Sequence, residues 1–366
     1  MNFFIPTDIY VENDCVNKHA SDFARFGKRA LIVTGAHSAK ANGSLNDLVQ
    51  ALAKNDISYQ LFDQVEENPS VETVAKASEV GKSFNADFVI GIGGGSPLDA
   101  AKAIALLIAN PQESEQILYQ KKDLGHLPVI AIPTTCGTGS EATAVSVLTN
   151  HQLGVKKSIP YKIFPALALV DGKYLSGASK SLIVNTAVDA LAHLIESYLN
   201  SKSNDFNKMF PEYGFKLWAK NKEALLGEKE LGMEDYQTLM LTSTIAGLSI
   251  AHTGTGVPHG MSYDLTYSFG LPHGKACGYF QAAYMEVCAR HLPDQVEKLL
   301  QLLGLPDLNA FSTMIESLIG KYKLPAAALE KFAKAMESNE GKLSATPFKI
   351  SKEEIWEIYE KSVGGE

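Results

Sequence analysis

The chain has 366 residues, 45% hydrophobic and 20% charged, with a formal net charge of −8. That size leaves room for two domains, and the composition is that of a soluble globular protein. The acidic balance argues against a nucleic-acid partner, whose phosphates want a basic face, and no apolar run approaches the roughly 18–20 residues that span a bilayer, so no membrane partner is expected.

The start, Met-Asn-Phe-Phe-Ile-Pro, lacks a basic segment followed by an apolar run, and Cys15, Cys136, Cys277 and Cys288 are scattered with no CxxC. A reduced, cytoplasmic protein is the expectation. Phe3, Phe4 and Ile5 read as an edge strand before Pro6. Arg29–Gly35 is a buried-strand run ending in a turn, and 44–54 has helical spacing through Leu45, Leu48, Val49 and Leu52. Ser58–Phe62 is a second strand. Ser70–Phe84 is a helix with Ser70 as its cap. Ala86–Ile92 is a third strand, Pro97–Ala109 a helix, and Val129–Ile132 a fourth strand. Strands alternating with helices predict a parallel sheet covered on both faces. Beyond Leu175 the pattern turns helical, with helices predicted over 180–200, 206–225, 234–252, 275–291, 294–303, 309–320, 325–336 and 351–362. The pattern therefore gives an α/β domain (1–175) followed by an all-α domain (176–366).

Two loops carry chemistry. Gly91-Ile-Gly-Gly-Gly-Ser-Pro-Leu-Asp99 joins a strand to a helix, so bare backbone N–H groups and a helix start make an anion-binding corner. It is neither a Walker loop nor the GxGxxG fingerprint, since Ser96 holds the last glycine position. Pro133-Thr-Thr-Cys-Gly-Thr-Gly-Ser-Glu141 follows the next strand, where open sheets bind ligands. Cys136 is read as a small loop residue, since no base is assigned to it. Within Asn185–Glu196, Asp189 and His193 stand at i and i+4 on one helix face. With His259 and His273 they offer one carboxylate and three imidazoles, a donor set for a first-row divalent metal.

Taken in order, Gly-Gly-Gly-Ser-Pro-Leu-Asp-Ala-Ala-Lys, Pro-Thr-Thr-x-Gly-Thr-Gly-Ser-Glu, Asp-Ala-x-x-His and Pro-His-Gly resemble the iron-containing (group III) alcohol dehydrogenases. The resemblance runs over nearly the whole chain. It implies that the α/β domain is Rossmann-like. It implies a divalent iron, in some members zinc, held by Asp189, His193, His259 and His273. It implies a nicotinamide cofactor whose pyrophosphate side meets Gly93, Gly94, Gly95, Ser96 and Asp99, with Thr134, Thr135 and Thr138 lining it. Lys156 matches a lysine beside the cofactor, with Lys157 as the alternative. A homodimer is implied too, acting on a small aldehyde or primary alcohol.

The chain departs from the family pattern in three places. Many members carry an aspartate where Gly35 stands; its absence removes a repulsion against a 2′-phosphate, so NADP(H) is favoured over NAD(H), with Lys40 or His37 placed to meet that phosphate. Common members read His-Ala-Met-Ala-His where this chain reads His259-Gly-Met-Ser-Tyr263, so Tyr263 is expected in the catalytic pocket beside His259 and His273. His252 stands where asparagine is frequent and is read as structural. The stretch around His259 and Leu-Pro-His-Gly resembles the branch that reduces phosphonoacetaldehyde, with sulfoacetaldehyde reductases related to it. The expected substrate is then a short aldehyde with an anionic head, for which Lys275, His252 and Ser262 are candidate partners. Competing expectations are a general NAD-dependent primary alcohol or diol dehydrogenase, a zinc protein like glycerol dehydrogenase or dehydroquinate synthase, and a metal-free binding protein on the same scaffold.

Overall fold

The computed structural model describes residues 4–365. The chain divides into two compact units, Phe4–Ala178 and Ser179–Glu366. Among the described residues no helix is long and apolar enough to cross a membrane.

The first unit is built on strands β1 (Asp8–Val11), β2 (Arg29–Thr34), β3 (Ser58–Phe62), β4 (Phe88–Gly93), β5 (Val129–Pro133) and β8 (Leu167–Val170). They form one sheet in the order β1-β8-β5-β4-β2-β3, every neighbouring pair parallel. Strands β6 (Val147–Asn150) and β7 (Val155–Ser158) make a separate antiparallel hairpin. Three long helices cover the sheet: α1 (Ser44–Ala53), α2 (Val71–Phe84) and α3 (Gly95–Ala109). The side-chain alternation of β2 explains how. Leu31 and Val33 join Val74, Ala77 and Ile104 in one core, while Ala30 and Ile32 join Leu48 and Leu52 in the other. Both faces are buried, so the strands read as near-continuous apolar runs. Each fully buried aliphatic side chain contributes about 1.5–3 kcal/mol.

Four strands differ from the sequence reading: the edge strand β1, the hairpin strands β6 and β7, and β8. The expected edge strand at Phe3–Ile5 lies partly outside the described residues at Phe3; Phe4 and Ile5 carry no strand, and the edge strand forms after Pro6, at β1. Strand β8 was not expected at all. Its four residues are all apolar and all buried, so the run shows no alternation, and its pairing with β1 and β5 is set only in the folded sheet.

The order of the strands fixes where a ligand can sit. The chain leaves β2 toward β3 on one side and returns to β4 on the other. The switch point lies at the carboxyl ends of β2 and β4, where Gly35 and the glycine loop stand.

The second unit is helical: α4 (Lys180–Tyr198), α5 (Met209–Lys220), α6 (Met233–Thr253), α7 (Val257–Phe269), α8 (His273–His291), α9 (Pro293–Leu302), α10 (Leu308–Ile319), α11 (Ala326–Met336) and α12 (Lys352–Val363), with shorter turns between. Helix α4 starts where Ser179 Oγ accepts the Leu182 N–H. Helix α7 falls in 253–274, a span the periodicity left without a helix, and α8 begins two residues earlier than expected, at His273. Helix α8 packs closely on α4 because two of its residues have no side chain. A Cβ on Gly274 would stand 2.0 Å from the Asn185 carbonyl oxygen and 2.8 Å from Asp189 Cβ; one on Gly278 would stand 2.5 Å from Val188.

Candidate metal and cofactor sites

Asp189, His193 and Glu196 follow one another down α4 at i, i+4 and i+7, and all are buried within the helical unit. Burying such groups is costly unless each finds a partner. Asp189 Oδ1 lies 3.6 Å from His259 Nε2, 3.8 Å from His273 Nε2 and 4.0 Å from His193 Nε2. These spacings are too long for hydrogen bonds; the donor atoms of Asp189, His259 and His273 lie within 4.8 Å of one another, with His193 at the edge of the group. The rings of His193 and His259 are stacked with centroids 4.5 Å apart, and His273 stands edge-on to His259 at 5.4 Å. Asp189 Oδ1 and His259 Nε2 are buried polar atoms with no hydrogen-bond partner. A divalent cation within this group would satisfy both, and the one-carboxylate, three-imidazole donor set suits it. Burial alone would raise the Asp189 carboxyl; the imidazoles of His193, His273 and His259 outweigh it and hold it well below the ordinary carboxylate range.

A residue absent from the sequence reading organises this centre. Glu196 Oε1 accepts the His259 Nδ1–H at 2.6 Å and a Gln281 Nε2–H at 2.9 Å. Its Oε2 accepts the backbone N–H of Gly256 at 2.6 Å, at the start of α7, where a carboxylate also complements the helix dipole. The carboxylate can only accept, so it holds a proton on His259 Nδ1 and leaves Nε2 as the ring atom turned toward Asp189. The i+7 spacing from Asp189 was the available signal, but it named no partner.

Tyr263, one turn beyond His259 on α7, stacks on His273 with centroids 5.9 Å apart. Beside it stands a cation that the sequence did not single out. Lys342 Nζ lies 5.4 Å from the Tyr263 ring centre and donates to Thr255 Oγ1 at 2.6 Å. Gly260 makes room for it, since a Cβ there would stand 2.9 Å from Lys342 Cγ. Of the three residues proposed from sequence for an anionic head, two are engaged elsewhere. Ser262 is fully buried; its hydroxyl donates to the His259 carbonyl at 2.8 Å and accepts from Cys277 Sγ at 3.1 Å. His252 turns Nδ1 to the Leu248 carbonyl at 2.9 Å and stacks on Phe210, a structural arrangement. Lys275 is half-buried on α8.

In the sheet unit the two loops meet. The Thr134 N–H donates to the Gly93 carbonyl at 2.9 Å, and Gly94 and Gly95 abut Thr135 and Thr138 so closely that a Cβ on Gly95 would stand 2.8 Å from Thr138 Cγ2. Gly93 has φ +145°, a conformation that favours glycine. Helix α3 starts at Gly95 with no side chain capping it, so its first N–H groups are available to an anion. Ser96 Oγ accepts the Asn68 N–H at 3.2 Å, and Lys156 Nζ donates to Asn68 Oδ1, which ties Lys156 to this corner. Lys157, on the other face of β7, lies over the Tyr119 ring instead.

Asp99 behaves differently from the expectation. Its Oδ1 accepts from the Ser140 hydroxyl at 2.6 Å and its Oδ2 from the Val147 N–H at 2.9 Å. Both oxygens therefore hold the threonine loop and the hairpin in place rather than facing an anion, which a carboxylate would repel. Lys102, fully buried, completes that support by donating to the Ser140 and Val145 carbonyls. At the end of β2, Gly35 offers no carboxylate, and Lys40 is paired with Asp63 rather than standing alone.

Known proteins agree with this architecture. The iron-containing alcohol dehydrogenase profile matches residues 6–172, and the profile of the Fe-containing alcohol dehydrogenase family's C-terminal region matches 183–363. A solved iron-containing alcohol dehydrogenase from Thermotoga maritima is 37% identical with a TM-score of 0.90, covering 99% of each chain. The NADPH-dependent butanol dehydrogenase of Clostridium saccharobutylicum is 28% identical over 336 residues, 88% of this chain and 83% of that protein. The sulfoacetaldehyde reductase of Bilophila wadsworthia is 30% identical over 256 residues, 69% of this chain and 65% of that one. The chain spans about a third of the length of the aldehyde-alcohol dehydrogenases it also matches, 34% for the one from Entamoeba histolytica.

Proposed function

Because the chain belongs to the iron-containing alcohol dehydrogenase family, we propose that it moves a hydride between NADP(H) and a short aldehyde or primary alcohol, at a divalent metal held by Asp189, His193, His259 and His273. The observation that carries this reading is the pair of orphaned, inward-facing atoms, Asp189 Oδ1 and His259 Nε2. A metal-free binding protein would have no use for two such atoms, each costing about 1–3 kcal/mol unsatisfied.

When bound, the cation supplies Lewis acidity toward a carbonyl or hydroxyl oxygen and the nicotinamide supplies or accepts the hydride. The protein's own residues do the rest. Glu196 holds the His259 ring so that Nε2 stays a lone pair. Tyr263, against His273, lines the substrate side and is placed to relay a proton to the alcohol oxygen. The backbone of Gly93, Gly94, Gly95 and Ser96 and the hydroxyls of Thr134, Thr135 and Thr138 receive the pyrophosphate, with Lys156 beside them.

The preference for NADP(H) rests on Gly35. Lys40 is held by Asp63, but the pair is exposed and worth at most about 1 kcal/mol, so a 2′-phosphate can draw the lysine away. The Clostridium relative is itself NADPH-dependent.

The substrate carries an anionic head. Lys342 supplies the opposing charge next to Tyr263, and one relative is a sulfoacetaldehyde reductase. The test is anaerobic assay of short aldehydes, sulfonated, phosphonated and neutral, with added Fe2+ and either reduced cofactor. We expect the anionic aldehydes with NADPH to show the highest kcat/KM. Lys342→Ala should lower kcat/KM for them about tenfold or more, the worth of a charge-assisted contact, and leave neutral aldehydes unchanged. Equal losses on both classes, or a parent that prefers neutral aldehydes with NADH, would favour the general primary alcohol dehydrogenase.

A further inference from the structure

Helix α8 repeats on its own face the spacing of Asp189 and His193 on α4. His273 and Cys277 stand at i and i+4, one turn apart. Cys277 is fully buried, and its Sγ lies 3.7 Å from His273 Nε2 and 3.8 Å from Nδ1. That sulfur and the donor atoms of Asp189, His259 and His273 all lie within 4.8 Å of one another. What separates this thiol from a cysteine that is merely buried is the pair of orphaned atoms aimed at the same point. Asp189 and His259 are each only 2% exposed, and Oδ1 of one and Nε2 of the other lack partners.

The spacing is that of two donors on one cation. Bonds of about 2.0–2.1 Å to nitrogen and about 2.3 Å to sulfur put two donors on one cation roughly 3–4 Å apart, over the angles of a four- to six-coordinate site. The His273–Cys277 distance of 3.7 Å falls in that range. The 4.0 Å from Asp189 Oδ1 to His193 Nε2 is the widest of the three carboxylate–imidazole spacings.

Resting on the reading that a divalent metal occupies this centre, we propose that Cys277 is a further donor to it through sulfur, and that the thiolate shifts the site's preference from iron(II) toward zinc. Softer donors favour zinc over harder competitors. On binding, the S–H bond is replaced by a sulfur–metal bond and the proton leaves to solvent; nothing is oxidised or reduced. The surroundings permit the change. Ser262 accepts the thiol proton at 3.1 Å while donating to the His259 carbonyl at 2.8 Å. Its hydroxyl is a rotor and can turn its own proton to the sulfur once the S–H is gone.

Cobalt(II) is the probe. The full chain is stripped with chelator under argon and loaded with one equivalent of Co2+. The parent is expected to show visible d–d bands together with a near-ultraviolet sulfur-to-cobalt charge-transfer band. Cys277→Ala should keep the d–d bands and lose the charge-transfer band, and its zinc dissociation constant, measured by chelator competition, should rise at least about tenfold. Cys277→Ser, which keeps the size and the contact with Ser262, takes its place if the alanine variant does not fold. Cys136→Ser should keep both bands. Visible bands without the charge-transfer band in the parent, or a charge-transfer band that survives in Cys277→Ala, overturn the sulfur donor and leave the four-residue centre standing. Failure of the parent to bind cobalt at all overturns both.

Discussion

Glu196 and His259 are 63 positions apart in the chain, and their side chains meet at 2.6 Å. That one contact orients the imidazole, fixes its tautomer and ties α4 to the start of α7. The carboxylate is held below its usual range: burial raises it, and His259, Lys342 and Gln281 outweigh that.

Glu196→Gln should therefore weaken metal binding about 10–100-fold, the cost of an outer partner of a metal-bound histidine. His259→Ala, which removes a donor itself, should abolish turnover and leave far-ultraviolet dichroism unchanged. Chelator competition with zinc measures the first and steady-state assay the second. Parent-like affinity in Glu196→Gln would show that the contact only braces the helices.

Gly274 decides how near α8 comes to α4. In Gly274→Ala the new methyl would stand 2.0 Å from the Asn185 carbonyl oxygen, with no flexible neighbour to yield. The helices must separate, and His273 moves away from Asp189. Overpacking of this kind costs about 1–3 kcal/mol, so denaturant melts should show that loss, with metal affinity falling as well. A variant that loses stability and keeps parent affinity would mean that the donors tolerate the shift.

Gly35→Asp should turn cofactor choice. A carboxylate at the end of β2 accepts from a ribose 2′-hydroxyl and repels a 2′-phosphate. A Cβ there would meet the Val65 carbonyl oxygen at 3.3 Å, a tight contact that a backbone shift of a few tenths of an ångström must relieve. The ratio of kcat/KM for NADPH over NADH should fall about tenfold or more, since juxtaposed like charges cost several kcal/mol. A parent that already prefers NADH would refute the cofactor assignment.

Glu357 gives a stability prediction away from the site. Arg290 grips it with two hydrogen bonds at 3.0 and 2.7 Å, and Lys361 adds an ion pair at 2.9 Å. These lower its pKa from 4.5 to about 2. A depressed carboxylate contributes stability that is fully present above pH 4.5 and is lost as the pH falls toward 2. The partners are largely exposed, so screening limits the contribution to about 1 kcal/mol. Glu357→Gln should cost that much at pH 7, and the gap to the parent should narrow as urea melts are taken from pH 5 to pH 3, closing only near pH 2. A gap of the same size at pH 5 and pH 3 would assign the loss to packing instead.

Most of the scaffold is legible in local residue spacing. Period-two and period-3.6 patterns act within a few residues, so β2 to β5, α2 and α4 could be read from local spacing. The carboxylate–imidazole pair Asp189 and His193 was legible for the same reason, being one turn of one helix. Tertiary structure decided what local spacing cannot carry. The carboxylate that caps α7 and orients His259, the lysine beside Tyr263, the thiol facing the donor atoms and the true task of Asp99 all depend on which elements pack together. Lys342 reaches Thr255 across 87 positions. Contacts of that range are set by the close approach of whole elements, which Gly260 permits beside Lys342 and Gly274 and Gly278 permit between α8 and α4, and no periodicity along the chain encodes the partner on the other side.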